Sequence, residues 1–228
     1  MRSRTVAFAG IVTSALASLT ANAQQETNAA MTFFVTSEAH SGDLGGLAGA
    51  DATCQRLATA AGAGTRTWRA YLSTQGTQTA AGVNARDRIG AGPWHNAKGV
   101  MIAASVADLH GDIERDRNLI YRETALDESG ALINGRMRPE GENNEHDMLT
   151  GSDSHGRAFP AGFTNGGVDL TCRNWTYDGP DGRAMIGHHD RLSGWNTSWN
   201  SSHVTAGCSL ADFNSTGGAG HFYCFAAD

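Results

Sequence analysis

Four cysteines constrain this chain more than any other feature of it. Cys54 stands alone upstream. Cys172, Cys208 and Cys224 all fall in the last quarter, Leu170–Asp228, together with three of the five tryptophans. No C-x-x-C pair is present, which argues against a zinc ribbon or a redox motif. In an exported chain four cysteines predict two disulfides, and the spacing leaves all three pairings open. A bridge closing a loop as long as 54–224 contributes about 4–5 kcal/mol in the chain-entropy account.

The N-terminus predicts export. Arg2 and Arg4 give a basic start, Val6–Leu19 is mostly apolar, and Ala21-Asn22-Ala23 reads as a cleavage site. Residues 1–23 are therefore expected to be a signal peptide, 24–30 a disordered lead, and 31–228 one folded domain, secreted or periplasmic. Removing the signal leaves 15 of the 17 Lys and Arg against 23 Asp and Glu, so the formal charge moves from −6 to −8. Such an acidic domain is a poor match for nucleic acid or heparin. No apolar run after the signal is long enough to span a membrane.

Along the chain, Met31–Thr36, Thr67–Ser73, Gly99–Ala103, Leu170–Trp175 and Gly220–Phe225 read as strands. Asp51–Ala61 reads as a helix with Cys54, Leu57, Ala58 and Ala61 on one face, stopped by Gly62. Asn84–Ile89 is a candidate short helix and Gly92–Asn96 a turn. Ser105–His155 is long, polar and irregular, the kind of region that carries function in a compact domain.

Gly45–Gln55 followed by Trp68-Arg69-Ala70-Tyr71-Leu72-Ser73 resembles the start of the endostatin family. Gly151-Ser152-Asp153-Ser154-His155-Gly156-Arg157 matches that family's Gly-Ser-Asp-x-x-Gly-Arg loop. Cys172-x-x-Trp175 and Phe222-Tyr223-Cys224 follow in the same order. The chain also resembles bacterial secreted lectin-like proteins that share the run Ser198–His203. The resemblance implies an α+β, C-type-lectin-like fold, a twisted antiparallel sheet with flanking helices and long loops. It also implies nested disulfides, Cys54–Cys224 and Cys172–Cys208. It does not bring the known binding chemistries with it. Ser201 stands where lectins carry the aspartate of Trp-Asn-Asp, and no histidines follow Gln24 to match the zinc ligands of endostatin.

Candidate ligands for calcium are Glu142, Glu145, Asp147 and Asp153, hard oxygen donors in the polar region. The plainer reading is a solvated acidic loop. Asp108–Asp116 fails as an EF-hand because Ile113 sits where glycine is required. Zinc ranks second to calcium, with His188, His189, Asp190, His203 and His221 as candidates and no H-E-x-x-H spacing to support them. Trp195, Trp199, Asn200, His203, Asn143 and Asn144 are the candidate ligand-binding residues. Aromatic faces cover sugar rings and amides satisfy hydroxyls, against the alternative that the tryptophans are core. Ser152-Asp153-Ser154-His155-Gly156 misses the nucleophile elbow by one residue, and bridged cysteines leave no thiol nucleophile. The expectation is a non-catalytic module that binds a glycan or a cell-surface protein through its loops. A structural domain of the cell envelope comes second and a metal-dependent hydrolase third.

Overall fold

The computed structural model describes Asn28 and residues 30–111, 118–191 and 198–228. The proposed signal peptide, most of the lead and Trp195 lie outside the described residues. In chain order the elements are β1 (Phe33–Val35), α1 (Gly46–Ala60), β2 (Trp68–Ala70), a 3-10 turn (Ala85–Asp87), β3 (Trp94–His95) and β4 (Met101–Ala103). Then come α2 (Val106–His110), β5 (Asp147–Leu149), α3 (Cys172–Trp175), β6 (Met185–His188), β7 (His203–Val204), α4 (Leu210–Thr216) and β8 (Gly218–Ala226).

β8 is the axis of the main sheet, and all nine of its residues are buried. β1 pairs antiparallel along one edge, with Phe34 opposite Cys224. On the other edge β2 pairs antiparallel with the C-terminal half, and β5 pairs parallel with the N-terminal half. β6 and β7 then extend the sheet beyond β5, both antiparallel. The period-two alternation of β8 sorts the core onto two faces. Phe222, Cys224 and Ala226 pack with α1, while Tyr223 and Phe225 pack with Phe33, Trp94 and Ile102 on the opposite side.

Cys54 of α1 is bonded to Cys224 of β8, and Cys172 to Cys208. The first bridge therefore fastens the helix to the axial strand, and it closes a separation of 170 residues. Such bridges belong to oxidising compartments. Among the described residues no helix is long and apolar enough to cross a membrane.

Two local expectations are corrected. Trp94–His95 is a strand rather than a turn, because it pairs with Met101–Ala103 across a hairpin that Asn96 closes. Leu170–Trp175 is not a strand. Cys172, Arg173, Asn174 and Trp175 all have positive φ, between 47° and 68°, forming one left-handed turn. Four such residues in succession are disfavoured by about 1–2 kcal/mol each. Local partners compensate for that cost. The Asp169 carboxylate accepts from the Thr171 and Arg173 amides, and Trp175 Nε1 donates to the Ser73 carbonyl. The Cys172–Cys208 bridge holds the turn from its other side.

Candidate metal centre

Strand register places three donors on one face at one end of the sheet. Asp147 on β5 stands opposite His188 on β6, and Leu149 stands opposite Ile186. His203 on β7 stands opposite Ile186. Residues two apart share a face, so Asp147, His188 and His203 project to the same side. His146 precedes β5 at the point where its pairing with β8 shifts register. Its ring turns back and stacks on His188, 4.2 Å between centroids and 7° from parallel.

Three glycines make this corner possible. Gly217 has φ of 102° as the C-cap of α4, and a Cβ there would lie 3.1 Å from His146 Nε2. A Cβ on Gly218 would lie 2.9 Å from the Asp147 Cβ. A Cβ on Gly187 would collide with the Trp199 carbonyl, so only glycine lets the Trp199–Asn200 backbone cross β6 on the way to His203.

The donor atoms converge. Asp147 Oδ1 is 3.1 Å from His146 Nε2, 3.2 Å from His188 Nε2 and 3.6 Å from His203 Nε2. His188 Nε2 and His203 Nε2 are 3.1 Å apart. Zinc bonded at about 2.0–2.1 Å to four ligands spaces neighbouring donor atoms by about 3.3 Å, the edge of its tetrahedron. These four separations scatter around that edge, while the set whose donor atoms all lie within 4.8 Å of one another is His146, Asp147 and His188, with His203 outside it. Although these contacts are short, both Asp147 oxygens are buried with no hydrogen-bond donor in acceptable geometry.

Each histidine is also held from behind. His146 Nδ1 is 3.0 Å from Asp190 Oδ1, and Asp190 Oδ2 accepts from the Arg136 amide at 2.7 Å. His188 Nδ1 lies 3.2 Å from the Ser202 hydroxyl, and His203 Nδ1 lies 3.2 Å from the Val204 carbonyl. A carboxylate and a carbonyl can only accept, so His146 and His203 carry their protons on Nδ1. In the neutral, metal-binding form that leaves their Nε2 lone pairs facing the centre. Partners of this kind fix the tautomer and ring orientation of metal-ligating histidines.

The electrostatics favour an ionised Asp147. Burial alone would raise its carboxyl, but His146, His188 and His203 outweigh that and hold it below the usual range. Asp190 is likewise lowered against its burial, by His146 and the Arg136 amide. His146 is pushed down by burial and raised further by Asp147 and Asp190, for a net rise. Burial dominates at His188, which is lowered. Next to it His189 is fully buried and lowered to about 4 by that burial. His221 Nε2 lies 3.7 Å from Glu145 Oε2 beside the centre.

The other sequence candidates are dispersed. Trp199 is buried against Tyr71, Tyr223 and His110, so it offers no face to a sugar. Asn200 is buried too. Its amide donates to Tyr71 Oη and to the Asp153 and Ser154 carbonyls, which pins a loop. Asn143 is exposed and Asn144 half-buried. Of the calcium quartet only Asp147 reaches the cluster. Asp153 Oδ1 accepts from the His155 and Arg157 amides within its own loop, Glu142 accepts from Asn134, and Glu145 faces His221. Three nitrogens and one oxygen form a borderline donor set rather than the all-oxygen shell calcium requires. From the zinc set, His188 and His203 are brought together, with Asp190 behind. The sequence reading passed over His146, which sits between the acidic residues it considered for calcium.

No family model and no curated protein matches the sequence.

Proposed function

We propose that this chain is a non-catalytic, exported binding module that carries a zinc-class ion at its sheet corner. The ligands are His146, His188, His203 and Asp147. One observation carries the reading: three imidazole Nε2 atoms from three places in the chain meet one buried carboxylate oxygen, each imidazole oriented from behind. The lectin-like architecture implied by the sequence resemblance agrees with a sheet flanked by helices and long loops. The loop through Leu132 and Met137 is fastened to the centre by the Arg136 amide on Asp190, and Met137 is 66% exposed. That loop is the surface we assign to recognition of a glycan or a surface protein.

The test is metal uptake and thermal unfolding of the oxidised full chain after chelator treatment. Zinc at a hundredfold excess over its dissociation constant stabilises the native state by about 2.7 kcal/mol. One zinc per chain, an upward shift in Tm, and loss of both in His188→Ala are expected. An unchanged Tm together with no bound zinc overturns the reading, and a shift with calcium alone would restore the oxygen-ligand alternative.

A further inference from the structure

Among the four ligands of the proposed centre, His203 differs from the rest in three independent ways. It is 40% exposed, whereas the side chains of His146, Asp147 and His188 are exposed by 4% or less. It lies farthest from Asp147 Oδ1, at 3.6 Å against 3.1 and 3.2 Å. The donor atoms of the other three all lie within 4.8 Å of one another. It is also the least firmly held. Its Nδ1 reaches the carbonyl of its own neighbour Val204, on a two-residue strand at the end of the sheet order. His146 by contrast is braced by buried Asp190 from another strand connection.

We infer that His203 is an exchangeable ligand, and that the centre takes a small Lewis base of the carboxylate or imidazole type in its place. This rests on the metal reading above and assigns a ligand to that site. The substitution breaks the bond from metal to His203 Nε2 and forms one from metal to the incoming oxygen or nitrogen. The coordination number is unchanged, no redox step is involved, and the half-exposed His203 side chain moves off the ion into solvent. Two neutral imidazoles and the Asp147 carboxylate leave a divalent ion with one net positive charge, which suits an anionic donor. The buried trio retains the metal throughout. Among the four ligands His203 alone is exposed, so the side chain of a partner or a small carboxylate reaches the ion where His203 now stands.

The experiment uses the full oxidised chain loaded with cobalt(II), whose visible absorption reports its ligand set, and titrates imidazole and then acetate. In the wild-type chain either probe is expected to change the spectrum saturably, with cobalt retained on dialysis. In His203→Ala the chain is expected to keep one cobalt, and the probe should act at about tenfold lower concentration, because an internal ligand competes at its effective concentration only in the wild type. A wild-type spectrum indifferent to both probes overturns the inference. So does stripping of cobalt by the probes, or failure of His203→Ala to hold cobalt. Failure of the underlying reading looks different: the wild-type chain would then take up no cobalt at all.

Discussion

Replacing Asp190 with asparagine tests whether the geometry behind the ligands matters as much as the ligands. The Asp190 carboxylate has one oxygen for His146 Nδ1, at 3.0 Å, and another for the Arg136 amide, at 2.7 Å. Asparagine offers a single acceptor oxygen to these two groups. If that oxygen stays with Arg136, the NH2 group faces His146 Nδ1, and the imidazole must move its proton to Nε2. The lone pair that would bind metal is then lost. If the oxygen instead serves His146, the NH2 group meets the Arg136 N–H and a buried donor goes unsatisfied. Gly135 brings its backbone so close that a Cβ would lie 2.5 Å from Asp190 Oδ2, so the backbone stands hard against the substituted group. Changes at such partners lower metal affinity about 10- to 100-fold, about 1.4–2.7 kcal/mol. The assay is zinc affinity by competition with a chromophoric chelator, with near-ultraviolet circular dichroism in EDTA to show that the fold persists. Affinity within twofold of wild type in a folded Asp190→Asn chain would refute the argument that Asp190 sets the His146 tautomer.

Gly187→Ala is expected to lower stability by about 3 kcal/mol, the upper range for overpacking, and to weaken zinc binding without abolishing it, because the added methyl drives the Trp199–Asn200 segment and hence His203 off β6 while the buried trio stays in place. Denaturant unfolding and zinc affinity by chelator competition check it, and an unchanged affinity would count against the proposed role of this crossing. Trp199→Ala is expected to cost about 3–5 kcal/mol, as for a buried aromatic. A loss under about 1 kcal/mol, as for a surface residue, would return Trp199 to the candidates for a sugar platform.

The parts of this fold that could be read from the sequence are those whose signal is local. Cys54, Leu57 and Ala58 repeat at helical spacing and do lie on the buried face of α1. Phe33–Val35 and the strand through Phe222–Phe225 carry dense β-formers and pair with each other. The disulfide pairing came from resemblance, since spacing alone left three choices. The centre was opaque for a different reason. β5, β6 and β7 are two to four residues long, too short for any alternation to register. Asp147, His188 and His203 meet through cross-strand register, a relation that a linear pattern does not display. His146 was in view, but it lies just before β5, where strand alternation does not place its ring. The left-handed turn at Cys172–Trp175 was illegible because Thr, Cys and Trp look like strand formers. The Asp169 carboxylate and the disulfide override that preference.

The central position of β8 has a consequence for the order in which the molecule can form. β1, β2 and β5 each take their place against residues 218–226, so while the ribosome is still short of that stretch they have no neighbour to pair with. The pairing of Phe33 with Phe225 spans nearly the whole described chain, and contacts so distant in sequence make folding slow. The sheet therefore stays unpaired while the chain is being made. Sheet assembly, the Cys54–Cys224 bridge and the approach of Asp147 to the downstream His188 become late, closely spaced events. The bridge among them forms only under conditions where thiols oxidise.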